Sequence, residues 1–214
     1  MILIKNFLNI FKIAELRKKI LFTIGILIIF RFGNHIPIIG IDLEKLRLLM
    51  QQRSMLGGLF SYLDMFSGGS LSQGMLFALG ISPYITASIM MQMLGLSIPW
   101  LEQLLKEGEY GRKLVNQYTR YLSLVVALVQ SFGIAVLVER AGLVIDPGWG
   151  FRLLFMLSVT VGSMFVMWLG EQISLSGIGN GSSMIIFAGI VARFPDDIIK
   201  TITAVREGFM DPVL

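Results

Sequence analysis

Runs of about twenty apolar residues alternate with short charged segments along this chain, and each such run is long enough to cross the hydrocarbon of a bilayer as a helix. No motif constrains the fold as strongly. Five runs qualify, at 20–37, 75–98, 121–138, 153–170 and 183–203. With 55% hydrophobic and 15% charged residues, the 214-residue chain carries more apolar surface than a soluble domain of its size can hide. The sequence therefore predicts an all-α membrane protein with five transmembrane helices. The first run bears Arg31, Asn34 and His35 at its outer end, where they reach the headgroups by snorkelling or face protein.

Lysine and arginine close to the runs set the orientation. Lys12, Arg17, Lys18 and Lys19 precede the first run, which places the N-terminus in the cytoplasm. The loop at 96–120, with Lys106, Arg112, Lys113 and Arg120, then falls on the same side, and five crossings leave residues 204–214 outside. A second unit with an odd number of spans, joined in series, has to be inverted, as in many transport proteins that build a pathway between two halves. The chain thus reads as half of a larger whole. Residues 1–19 form an amphipathic cytoplasmic start, retained because no small-residue cleavage site follows the apolar run.

Several function classes drop out. The absence of cysteine removes disulfides, thiolate metal sites and cysteine nucleophiles, and a single histidine, His35, makes a histidine-built metal site improbable. No Ser/His/Asp set, zinc-binding helix motif, phosphate loop or intramembrane carboxylate is present, so neither an enzyme nor a proton-coupled pump is expected, and no cofactor or metal. The net charge of +4 comes from basic residues beside apolar segments, which suits anionic lipid and not nucleic acid. "GIGNG" at 177–181 lacks a lysine and follows no strand, and it reads as a turn and helix cap.

The second run is the unusual one. It belongs to a charge-free stretch, "MFSGGSLSQGMLFALGISPYITASIMMQM" at 65–93, whose first third is glycine and serine and which contains Pro83. Just before it, "SMLGGLFSYLDMF" places Leu56, Leu59 or Phe60, Leu63 and Phe66 at helical spacing over about three turns, too short to span. It is an interfacial helix or a re-entrant one, broken from the span by Gly68, Gly69 and Ser70. Irregular backbone at membrane depth persists only against protein or water, so the break suggests a cavity. Ile81 and Ile85 share a helical face, as do Ile186 and Ile190 in the fifth run, a spacing that ordinary packing also explains. Gln130 and Ser131 interrupt the third run near its middle and call for a hydrogen-bonding partner. Met90, Met91 and Met93 offer adaptable apolar surface or fill gaps in packing.

Taken in order, "LRKKILFTIGILIIFRFGNHIPIIGID", the 65–93 stretch, "EGEYGRKLVNQYTRYLSLVVALVQSFGIA" and "GSMFVMWLGEQISLSGIGNGSSMIIFAGIVA" resemble consecutive signatures of the SecY family, the channel subunits of the bacterial protein translocase. The resemblance runs from Leu16 to Ala192. It implies one half of a pseudo-symmetric ten-helix clamshell, with 20–192 as a five-span half-channel and 204–214 as an external hinge segment. It further implies a plug at 57–70, comprising Gly57, Gly58, Leu59, Phe60, Leu63, Phe66, Gly68 and Gly69, and a pore ring of Ile81, Ile85, Ile186 and Ile190. Thr86, Met90 and Gln130 fall on the family's lateral gate. The implied partners are the SecE and SecG subunits, the SecA motor ATPase, the ribosome, signal sequences and unfolded secretory proteins, membrane lipid and the C-terminal half of the channel. The sequence departs from the family at "SLSGIGNGSS", where relatives carry charge before the glycines, and at Ile39, where a second proline is usual.

Two other readings stay open. A solute transporter would use the broken second helix as its binding site, and a non-transporting membrane scaffold would use its helices only to bind partners.

Overall fold

The computed structural model describes residues 13–46, 69–70 and 74–206, and it is helical nearly throughout. Helix α1, Ala14–Gly33, is an aliphatic run that stops where Gly33 admits the Phe77 ring against its backbone; a Cβ there would overlap that ring. Phe30 stacks on the same ring, with centroids 6.0 Å apart.

After α1 the chain runs extended and is paired along both edges. On one side Ile38 N–H donates to the Gly74 carbonyl and Leu76 N–H to that of Ile36, each at 2.8 Å. On the other, Asp42 N–H reaches the Leu143 carbonyl at 2.8 Å and Ile145 N–H that of Gly40 at 3.1 Å. These bonds clasp three loops together and satisfy backbone that would otherwise be buried unpaired.

The predicted span at 75–98 is helical only from Ser82. Its first seven residues form successive turns, with positive φ at Gly74 and Gly80, and α2, Ser82–Ser97, begins with Pro83 in its first turn, where a missing N–H costs nothing. Ser163 Oγ donates to the Gly80 carbonyl at 3.0 Å, and Gly162 leaves room for the Leu76 carbonyl, so the turns are held by the helix behind them. At its far end α2 stops at Ile98, held extended before Pro99, and α3, Pro99–Lys106, leaves at 103°.

The expected loop at 96–120 is mostly helix. It comprises α3 and the first turns of α4, Glu109–Arg140. Leu101 and Leu104 bury one face of α3, and Gly111 sits so close to the Leu104 carbonyl that a side chain there would overlap it. Small residues at four-residue spacing, Thr119, Ser123, Ala127, Ser131 and Ala135, form the buried face of α4, which packs on α2 and on α5, Trp149–Ser176. Close approach through small residues is how helices associate where lipid removes the hydrophobic drive between them. Across this seam the Ser131 and Thr160 hydroxyls lie 3.3 Å apart.

The last helix, α6, Gly181–Arg206, follows "GIGNG", which is the expected turn and cap: Gly179 has φ +74° and Asn180 Oδ1 accepts from Ser183 N–H at 3.2 Å. Among the described residues α4 and α5 are each long and apolar enough to cross a membrane, and α2 and α3 qualify together despite their bend. The apolar part of α6, Gly181–Ala192, is shorter. Two apolar clusters hold the helices: one around Phe151, Phe155 and Val159 beside the clasp, the other around Phe77, Val166, Leu169 and Ile173.

Candidate pore collar and gate face

Three of the four isoleucines expected in the ring meet at the second cluster. Ile81 is the residue that caps α2, its carbonyl accepting from Ile85 N–H at 3.2 Å, and its side chain is 3% exposed among Val166, Leu169, Ile173 and Ile185. Ile85, one turn on, and Ile186 of α6 are half-buried and pack against the same cluster. Ile190 stands apart, 44% exposed. The structure thus brings three of the four isoleucines together, and their burial falls from Ile81 outwards to Ile190.

Two devices fix the start of α6 beside this cluster. Gly181 lies against Gly170 so closely that a Cβ would overlap the Gly170 carbonyl oxygen, and Gly181 N–H donates to Ser174 Oγ at 2.8 Å. From α1, Thr23 Oγ1 accepts Ile178 N–H at 3.1 Å and donates to the Lys19 carbonyl at 2.9 Å. A buried hydroxyl inside α1 therefore positions the loop that starts α6. Beneath the cluster a small cavity of about 60 Å³ is lined by Ile81, Tyr84, Glu171 and Asn180 among others. Glu171 is held there by Arg120 Nε at 2.6 Å, which keeps the carboxylate paired.

The residues expected at the gate lie on α2 and α4. Thr86 is half-buried and spends its hydroxyl on the Ser82 carbonyl at 3.1 Å. Met90 and Met93 are 45% and 60% exposed, whereas Met91 is buried, so the methionines serve both uses open to them, surface and packing. Ser131 finds Thr160, but the neighbouring Gln130 is half-buried with its Oε1 out of solvent and without a partner among the described residues. An unsatisfied amide oxygen costs about 1–3 kcal/mol until something donates to it.

Of the plug residues, Gly57, Gly58, Leu59, Phe60, Leu63, Phe66 and Gly68 lie outside the described residues; Gly69, with φ +94°, lies within them. Sequence reading passed over Thr23 and Ser163, although a hydroxyl within an apolar run, as in Thr23, is a visible signal, and it took Gly181 only as part of a turn and cap. Asn34, named there only for its place at the end of the first run, is 4% exposed, and among the described residues its side-chain amide has no partner.

The SecY family model matches residues 75–213. The protein translocase subunit SecY of Escherichia coli strain K12 is 50% identical over 200 residues, which is 92% of this chain and 45% of that protein. The Aquifex aeolicus subunit of the same name is 46% identical over 211 residues, 95% of this chain and 49% of its own length. This chain therefore spans about half the length of the relatives it matches. Among solved structures, Sec61 in the canine ribosome-channel complex from the endoplasmic reticulum superposes with a TM-score of 0.62 at 23% identity, covering 90% of this chain and 42% of that one, which speaks for the fold. A structure described as that of a protein conducting channel aligns equally well, with TM-score 0.62 and the same 23% identity. With the family model matching well over half of its length, the chain belongs to the SecY family.

Proposed function

We propose that this chain forms the N-terminal half of a protein-conducting channel, moving unfolded polypeptides across the cytoplasmic membrane and releasing membrane segments sideways into it. The observation that carries the reading is the convergence of Ile81, Ile85 and Ile186 on one apolar cluster where α2 begins late and α6 begins beside it. In this arrangement Ile85, Ile186 and Ile190 form the pore-facing half-collar and Ile81, already buried, is its backing. Branched aliphatic side chains offer nothing to coordinate an ion, so such a collar holds back water and ions while an extended chain pushes the side chains aside.

The five runs are the five crossings, with the N-terminus cytoplasmic, residues 204–214 external and the plug at 57–70 outside the collar. The unsatisfied Gln130 carbonyl and the half-buried Thr86 belong to a gate whose other wall is the C-terminal half, and Met90 lies where an apolar signal sequence leaves towards lipid. SecE, SecG, SecA and the ribosome are the partners of the completed channel.

Substituting Ile85→Gly and Ile190→Gly in the completed channel raises its resting ion conductance in planar bilayers. A conductance equal to that of the unsubstituted channel would remove the collar assignment. For the gate, a signal peptide carrying a photocrosslinker labels Met90 in the assembled channel, and failure to label α2 or α4 at all would favour the scaffold reading.

A further inference from the structure

The cavity of about 60 Å³ under the apolar cluster has an apolar floor and a polar, charged rim. Ile81 and Met167 are buried at its base, Tyr84 and Glu171 are half-buried along its side, and Ser174 and Asn180 are exposed at its mouth. It therefore opens where α5 ends and α6 begins, one residue cluster away from Ile85 and Ile186 of the proposed collar. A space of this size takes the end of one side chain or a few waters, and not a small-molecule ligand.

Glu171 is the one acid in α2, α5 and the apolar part of α6 together. Its counter-charge comes from α4: Arg120 Nε donates to Oε1 at 2.6 Å, and no other hydrogen bond among the described residues reaches the carboxylate. The two ends of this pair differ. The Glu171 side chain is 18% exposed and set in the cavity wall, whereas that of Arg120 is 49% exposed. The Glu139–Arg152 pair at the opposite end of α4 and α5 is covered on both sides, 15% and 27% exposed, as suits a pair that only braces two helices. An ion pair with one partner half in solvent contributes little to stability, so Arg120 is displaced at small cost, while a carboxylate left alone over an apolar floor needs another cation.

We infer that Glu171 is a specificity-determining contact for the transported polypeptide: a lysine or arginine side chain approaching the collar takes the place of Arg120 on this carboxylate. The inference rests on the channel reading and on entry from the side of the basic loops. A charge about to pass branched aliphatic side chains loses hydration that they cannot replace. A fixed negative charge beside the constriction lowers that barrier for cations and raises it for anions.

The test times the transport of one secretory reporter carrying a short tract of lysines, glutamines or glutamates through the completed channel, reconstituted in vesicles with the motor ATPase. In Glu171→Gln the lysine tract is expected to slow about threefold relative to the glutamine tract, and the glutamate tract not to slow at all relative to it. The glutamine tract is timed in the same vesicles, so a variant that folds poorly lowers all three rates and leaves their ratios readable. Arg120→Glu together with Glu171→Arg rebuilds the ion pair with its charges exchanged, and it is expected to disfavour the lysine tract as the single variant does. Equal slowing of all three tracts by Glu171→Gln, or unaltered ratios in the exchanged variant, would make the pair a brace and overturn the assignment. Transport of no tract by the unsubstituted channel would sink the channel reading and the assignment with it, whereas transport with unaltered ratios removes the assignment alone.

Discussion

At the scale of single residues, the decisive positions are those where a missing atom lets two backbones meet. Gly181 against Gly170 and Gly162 against the Leu76 carbonyl bring α6 and the turns before α2 onto α5. Gly181→Ala is expected to lower stability by about 1–3 kcal/mol, because backbone and not a flexible side chain has to move. Gly133→Ala serves as the comparison, since a Cβ there meets nothing within 4 Å. Thermal unfolding in detergent followed by circular dichroism checks both, and equal midpoints for the two variants would discount the close approach. Asp42 gives a pH dependence outside the membrane. Its carboxylate accepts the N–H groups of Glu44 and Lys45, and the Lys45 backbone, followed by the Lys45 ammonium, holds its pKa below the usual carboxylate value. A folded-state pKa that is lowered means the cap contributes fully above the ordinary aspartate value and is lost as pH falls through the folded one. The Lys45 amide should therefore exchange faster as pH drops through that window, once corrected for intrinsic rates, and Asp42→Asn should abolish the change.

At the scale of elements, α2 and α3 are two consecutive helices that meet at a bend of 103°. Pro99 ends α2 by forcing Ile98 out of helical geometry, but what holds α3 down is the burial of Leu101 and Leu104 against its neighbours. The bend should therefore survive Pro99→Ala and give way in Leu101→Ala with Leu104→Ala, since each buried leucine truncation costs about 2–5 kcal/mol. Spin labels at Ser97 and Lys106 measure it: the proline variant keeps one narrow distance and the double leucine variant broadens. The reverse order would put the elbow under local control. Elsewhere, element positions were largely legible, because apolar run length and charge locate helices. What the sequence hid was the late start of α2, since turns at membrane depth are as apolar as the helix they precede, and the helical nature of 99–106 and 109–120, since charged residues between apolar runs read as a loop even where Leu101, Leu104 and Leu105 recur at helical spacing.

At the scale of the molecule, the chain spans about half the length of its relatives, and the proposed function makes it one half of an enclosing channel. Among the described residues nothing stands opposite the proposed half-collar, and none donates to Gln130 Oε1. Expressed alone, the chain is expected not to support secretion; expressed together with a separate chain carrying the C-terminal half, it should copurify with that chain and restore transport. Secretion of a reporter by cells containing only this half would contradict the reading.

The sequence by itself determined the class of protein and the approximate positions of its helices. These follow from run length and charge placement, which are local, whereas four-residue spacing alone left the isoleucines open to ordinary packing and only the family resemblance singled them out. Only the tertiary structure decided which of those isoleucines is buried and which is exposed, and that Thr23 on the first helix positions the loop before the last. Each of these depends on atoms far apart in the chain, and in lipid such contacts are set by close packing of small residues and by polar groups seeking partners, neither of which leaves a period to read.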